Sequence, residues 1–223
     1  MLKVRLLAYT PASEDIIAKA ARLCYSESGI DELDVSGSKA RIVGKMFRLG
    51  HHSTLEHASF SFGVEGISRA CSHQLVRHRL ASFSQQSQRY VRFHEPFDYY
   101  IPDTILKNKA ALSRYRKLMD DMAAAYEEMA KSGIPAEDAR YVLPNACTTK
   151  IIITMNAREL LHFFNLRLCS RAQQEIRDLA ARMLVLVKKE APHIFEKAGP
   201  TCISYNYCRE EAEDCPLYKK IKR

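Results

Sequence analysis

The chain has 223 residues, 47% of them hydrophobic, with 34 Lys and Arg against 26 Asp and Glu and a formal net charge of +8. That length can bury a core without staples, and the positive surplus suits anionic ligands, whether nucleotides, polyglutamates, nucleic acid or membrane lipid. No long uncharged apolar run offers a membrane span, and Met1-Leu2-Lys3-Val4-Arg5 leads into no signal-peptide apolar block. Seven cysteines, four of them in expected core elements, fit free thiols in a reducing cytoplasm, so a cytosolic protein is expected.

Lys3 to Tyr9 reads as a first strand. Thr10-Pro11 then supplies an N-cap and a first-turn proline for a helix with Ile16, Ile17, Ala20, Ala21 and Cys24 on one face. Ser26 to Ser36 is polar and glycine-containing, hence a loop, and a second helix runs from about Lys39 to Leu49 and stops at Gly50. Ser53 and Glu56 have capping-box spacing, which predicts a short helical turn whose N–H groups can meet an anion. His51, His52 and His57 invite a metal reading, but no H-E-x-x-H pattern accompanies them and no metal site is expected. Ser59 to Val64 alternates as a half-buried strand.

Ser68 can cap a helix reaching about Arg79, which would put Gln74, Arg77 and His78 on one face. Between Gly66 and His94 stand Arg69, Arg77, Arg79, Arg89 and Arg92 with no Asp or Glu. Such a segment wants an anion from outside, and the arginine fork binds phosphate or a planar base edge through paired hydrogen bonds. Leu80 to Phe93, rich in Ser and Gln, is expected to be an irregular ligand loop running into an extended segment, and Pro96 and Pro102 bracket an aromatic connector. Asn108 to Lys131 reads as a long helix with Gly133 past its end, Ile134-Pro135 restarts a short one, and Cys147 to Met155 is a β-branched strand. Asn156-Ala157-Arg158-Glu159 opens another helix, on which Arg158 and His162, then Arg167 and Arg171, are spaced i, i+4. A last helix spans about Ala172 to Lys189. In the tail, Cys202, Cys208 and Cys215 lack paired C-x-x-C spacing, which leaves zinc as the lesser reading beside a structural or incidental role.

Arg77-His78-Arg79, seven further residues and Ser87 resemble the signature of the flavin-dependent thymidylate synthases. Ser53-x-x-Glu56-His57, Ser72 to Val76, Ala139-Arg140-x-x-Leu143-Pro144, and Asn156-Ala157-Arg158 with Leu166-Arg167 and Ala172-Gln173 follow in family order. The resemblance implies a single mixed α/β domain over residues 1–223, with a cysteine-bearing tail from about residue 200. It also implies helices on a mixed or antiparallel sheet and a homotetramer whose sites are shared between subunits. The implied reaction is methylation of dUMP to dTMP, with methylenetetrahydrofolate giving the carbon, FAD as redox carrier and NADPH as reductant, and no nucleic-acid or membrane partner.

By the same resemblance, Gln74, Arg77, Gln85, Gln86, Ser87, Arg89, Arg140 and Arg167 hold dUMP. Ser53, Arg77, His78, Arg79, Gln85, Asn156, Arg158 and His162 hold FAD, with His51 and Glu56 nearby. Arg167 is the implied catalytic group, since a guanidinium against the uracil edge favours the N3-deprotonated ring. Ser87 is expected to orient rather than attack, or to serve only as a loop-capping hydroxyl. Gln85 stands where an acid is common in the family, and His162 and Arg171 are the least certain flavin contacts. From the residues alone a nucleic-acid-binding module is the rival, though no recognised nucleic-acid motif is present; a flavin- or folate-binding protein without turnover is a third.

Overall fold

The computed structural model describes residues 1–93 and 97–218. Pro96, expected to open the aromatic connector, lies outside them. In chain order the elements are β1 (Lys3–Tyr9), α1 (Ser13–Leu23), α2 (Lys39–Leu49), β2 (Ser59–Ser68), α3 (Arg69–Leu75), β3 (Ala81–Gln85), α4 (Asp103–Leu106) and α5 (Lys109–Lys131). They continue with α6 (Ala136–Ala139), β4 (Thr148–Asn156), α7 (Ala157–Arg167), α8 (Gln174–Glu190) and α9 (Thr201–Ser204). The fold is mixed α/β, and its strands form a four-stranded antiparallel sheet in the order β1-β2-β4-β3. Among the described residues no helix is long and apolar enough to cross a membrane.

The chain packs as two compact units, one of Met1–Lys3, Val64–Arg77 and Phe83–Ile152, the other of Val4–Gly63, His78–Ser82 and the chain from Ile153 onward. In the first, Phe97, Ala123 and Cys147 are buried, with Phe93, Tyr99, Met122 and Leu143 packed against them. α5 begins as its sequence asks: the Asn108 side chain accepts from the Ala111 N–H at 3.0 Å. The second unit buries Phe60, Phe62, Phe163, Phe164 and Phe195 completely, and Phe195 meets Phe60 and Phe164 edge-on.

Three sequence expectations are corrected. Thr10 does not cap α1, which starts at Ser13 after Ala12 in the left-handed region. Instead the Thr10 N–H donates to the Ser59 carbonyl and its hydroxyl accepts from the Ser59 N–H, both at 3.0 Å, so the side chain fixes sheet register. Ser53 does not cap its turn either. His52 is the preceding residue of a 3-10 turn over Ser53–His57 without a side-chain cap, and the Glu56 carboxylate is turned to Arg158. Finally α3 is capped by Ser68 as expected, at 3.0 Å, but ends at Leu75, so Gln74, Arg77 and His78 do not share a helical face.

Gly66 is a close-approach position. Its φ is +78°, and a Cβ there would stand 2.6 Å from the Met1 carbonyl oxygen. Gly66→Ala is therefore expected to lower stability by about 1–3 kcal/mol, read as a reduced urea midpoint; an unchanged midpoint would show that the N-terminal residues are not held here.

Candidate active site

α7 presents Glu159, Phe163 and Arg167, spaced i, i+4 and i+8, to one buried side chain, His78. The helix starts where it does because the Asn156 side chain accepts from the Glu159 N–H at 2.9 Å. That cap sets Glu159 in the first turn, where its carboxylate lies 2.8 Å from His78 Nδ1, with both side chains about 95% buried. At the other ring nitrogen, Arg167 Nε donates to His78 Nε2 at 3.1 Å. A guanidinium N–H can only donate, so Nε2 is the acceptor and the ring proton sits on Nδ1, donated to Glu159. Phe163 packs edge-on at 5.0 Å and His162 at 5.8 Å between ring centres, which locks the imidazole plane. The chain Glu159–His78–Arg167 thereby fixes the plane and direction of the Arg167 guanidinium.

Both nitrogens of His78 are thus used inside the protein, whereas Arg77 and Arg79 on either side are exposed. α3 ends at Leu75 and a turn over Val76 and Arg77 follows, so the triplet lies outside any helix, with its middle residue inward and the two arginines outward. His162 is exposed. Its pKa is lowered chiefly by burial, an effect opposed by Glu159 and reinforced by His78, Arg209 and Arg167. Arg171 falls beyond the end of α7 and pairs with Asp214 at 3.1 Å, so it does not extend the Arg167 ridge.

The same unit holds a cleft of about 880 Å³ lined by Tyr25, Arg41, Lys45, Arg48, His51 and Ser53 among others, with no Asp or Glu in its wall. Arg41, Lys45 and Arg48 are i, i+4 and i+7 on α2, one basic ridge that the spacing already contains but that sequence reasoning passed over. Tyr25 stacks nearly parallel on His51, with its hydroxyl 3.3 Å from Nδ1. Arg158 is committed to Glu56 at 2.5 Å, in an ion pair half exposed at both ends.

The other predicted residues lie in the first unit. Gln85 is at the end of β3, not in an irregular loop, and its amide donates to Ser72 Oγ at 3.0 Å and Thr149 Oγ1 at 3.2 Å. The Gln86 N–H donates to the Lys150 carbonyl. Ser87 Oγ accepts from the Arg89 N–H at 3.1 Å, a loop-capping role. Arg89 grips one Glu137 oxygen with Nε at 2.9 Å and Nη2 at 2.8 Å, while Arg140 Nε donates to the Glu137 carbonyl at 3.0 Å. Glu137 and Glu159 are the partners that the acid-free arginine segment lacks in sequence, and no local signal announces either. Among the described residues no three His, Cys, Asp or Glu groups stand in a metal-holding arrangement.

A buried acid and imidazole holding a half-buried guanidinium, and a basic cleft without carboxylates in the same unit, are what this mixed α/β fold assembles. Residues 5–193 match the thymidylate synthase complementing protein family, and the chain belongs to that family. The flavin-dependent thymidylate synthase of Geobacter sulfurreducens is 52% identical over 226 residues, covering 100% of this chain and 97% of that protein. The flavin-dependent thymidylate synthase of Pyrococcus furiosus is 45% identical over 224 residues, covering 94% and 90%. Among solved structures, the UMP/dUMP methylase PolB of Streptomyces cacaoi, bound with 5-Br dUMP, superposes with a TM-score of 0.79 at 26% identity, covering 88% of this chain and 93% of that one.

Two predictions follow from the geometry. Glu159→Leu strands the His78 Nδ1–H in the interior and should cost about 1–3 kcal/mol. Adding His78→Phe to it replaces both partners by apolar groups and should recover at least about 1 kcal/mol, measured by urea unfolding of the four-variant cycle; strictly additive losses would deny the coupling. His52 supplies a pH dependence. Its Nε2 is buried without a partner, and burial first, then Arg158, lowers its pKa from 6.5. The unfolded chain therefore binds the proton more tightly, so the stability from neutral His52 is complete above pH 6.5 and is lost as pH falls through the lower folded value. His52→Phe should shrink the fall in melting temperature between pH 7.5 and pH 5, both roughly chosen to bracket an ordinary imidazole; an unaltered fall would place the acid sensitivity elsewhere.

Proposed function

We propose that this protein is a flavin-dependent thymidylate synthase, methylating dUMP to dTMP with methylenetetrahydrofolate, FAD and NADPH, and that Arg167 is its reactivity-setting group. The observation that carries this reading is the Arg167 guanidinium, held by His78, itself held by Glu159. A cation fixed against the uracil edge stabilises the N3-deprotonated ring. That raises electron density at C5, where the new carbon bond forms, without an enzymic cysteine. Preorganising the guanidinium matters because its orientation is then settled before the substrate arrives.

Arg89 and Arg140, gathered by Glu137, are suited to the nucleotide phosphate, with the Gln86–Ser87 backbone beside them. Gln85 is braced by Ser72 and Thr149, so its role is a fixed polar wall. For FAD, the donor set fits: the cleft at His51 and Ser53 carries three cations of α2 and no acid, a wall suited to a diphosphate. Exposed Arg77 and Arg79 and the Asn156–Arg158 turn would complete the hold, with Arg158 exchanging Glu56 for ligand. His78 is assigned a positioning role through Arg167 instead of a flavin contact. When bound, FAD supplies the two electrons that turn a transferred methylene into a methyl group, drawn from NADPH. We include a cytoplasmic location, in keeping with seven free thiols, and a homotetramer with shared sites.

Purified protein should be yellow and convert dUMP to dTMP with methylenetetrahydrofolate and NADPH, at a native mass about four times the chain mass. Arg167→Ala should lower turnover by about 10²-fold or more while flavin remains bound. A colourless protein that takes up no FAD would overturn the reading; unchanged turnover in Arg167→Ala would remove Arg167 from the chemistry.

A further inference from the structure

Four of the seven cysteines, far apart in sequence, line one small cavity. Cys169 follows the end of α7, Cys202 sits in α9, and Cys208 and Cys215 lie in the tail; all four border a space of about 50 Å³. None is in a disulfide. The Cys202 thiol is near enough to those of Cys208, Cys169 and Cys215 to interact electrostatically with each. Cys215 Sγ lies 3.1 Å from Ser170 Oγ, next in sequence to Cys169, and Arg171 pairs with Asp214 at 3.1 Å, so the tail is already tied to the end of α7. Asn206 and Glu211 have positive φ, 57° and 45°, one in each loop between successive tail cysteines, and these reversals turn the chain back to the cavity.

We propose that Cys169, Cys202, Cys208 and Cys215 form a tetrathiolate site for one zinc-class divalent ion, stapling the C-terminal tail to the end of α7. Four sulfur ligands select a thiophilic ion of tetrahedral preference, and a cavity of this size suits a single ion over a multinuclear cluster. Four thiolates on a divalent ion leave two negative charges, and the cavity wall holds Arg209 with Glu210, and Arg171 in its pair with Asp214. The tail also needs such a staple: beyond α9, Ala212 is the one hydrophobic residue of the described tail that is buried. The thiols line the cavity without yet being closed to ligating geometry, so metal binding draws the two tail loops inward. The long spacings, five residues between Cys202 and Cys208 and six between Cys208 and Cys215, do not prevent this, because the fourth ligand comes from α7's end and not from a paired motif.

The full-length protein is purified under reductant, stripped with chelator, re-exposed to zinc and desalted, and its metal content measured. About one zinc per chain is expected, and cobalt in its place should show the intense red-region bands and sulfur-to-metal charge transfer of tetrahedral thiolate coordination. Cys202→Ser combined with Cys215→Ser should abolish both, while Cys24→Ser retains them. Because that double variant could misfold, limited proteolysis of the unmutated protein is a second readout, with chelator expected to expose cleavage after residue 200 or so and zinc to suppress it. Zinc content that stays near zero, metal retained by the double variant, cobalt without thiolate bands, or tail thiols recovered as disulfides from anaerobically purified protein overturns the site. None of these readouts depends on flavin or on dUMP turnover.

Discussion

The position of the Arg167 guanidinium depends on one hydrogen-bonded chain with a buried core. Glu159 accepts from His78 Nδ1, His78 Nε2 accepts from Arg167 Nε, and acid and imidazole are both out of water. An arginine on a helix end ordinarily samples many rotamers, and ordering so long a side chain costs entropy on the order of 2 kcal/mol. Here that ordering is met by the fold, through an imidazole whose tautomer is dictated at both ends. The aromatic edge of Phe163 makes the arrangement stiffer still, since the ring cannot turn without losing both bonds.

The opening of α7 shows how a local signal and a long-range one can share a residue. Asn156 through Glu159 reads as a capping motif, and Asn156 does cap the helix. A capping Glu would reach back to the N-cap N–H at the start of its own helix, however, and this one reaches 81 positions away to His78. Pattern reading could place Glu159 in the first turn but had no access to that partner, because pairing across the sequence is set by tertiary packing. The same holds at Thr10, whose N-cap reading failed when a strand register had stronger use for its hydroxyl, and at Glu137, which meets Arg89 and Arg140 from a different element. By contrast the ends of α2 and α5, settled by Gly50 and Asn108, were fully legible, as these depend on neighbours within a few residues.

Charge was legible in amount and illegible in destination. An arginine segment without acids demands compensation, and two kinds are present. Arg89 receives part of it from Glu137 at a half-exposed pair, where solvent screening keeps the hold weak. Arg158 and Glu56 repeat that logic on the other unit. Exposed ion pairs of this sort stabilise the resting protein little.

The Arg77-His78-Arg79 triplet then separates into two functions that its compact spelling conceals. Were all three side chains ligand-facing, a buried imidazole with both nitrogens engaged would have no place in it. Past the end of α3 at Leu75 the chain turns, and the middle residue enters the interior while its neighbours face out. The two arginines present their charge to solvent, whereas the histidine transmits the position of a carboxylate on one end of α7 to a guanidinium on the other. Replacing His78 by a lysine or arginine would add a charge and lose the acceptor, because a group that can only donate cannot accept from Arg167.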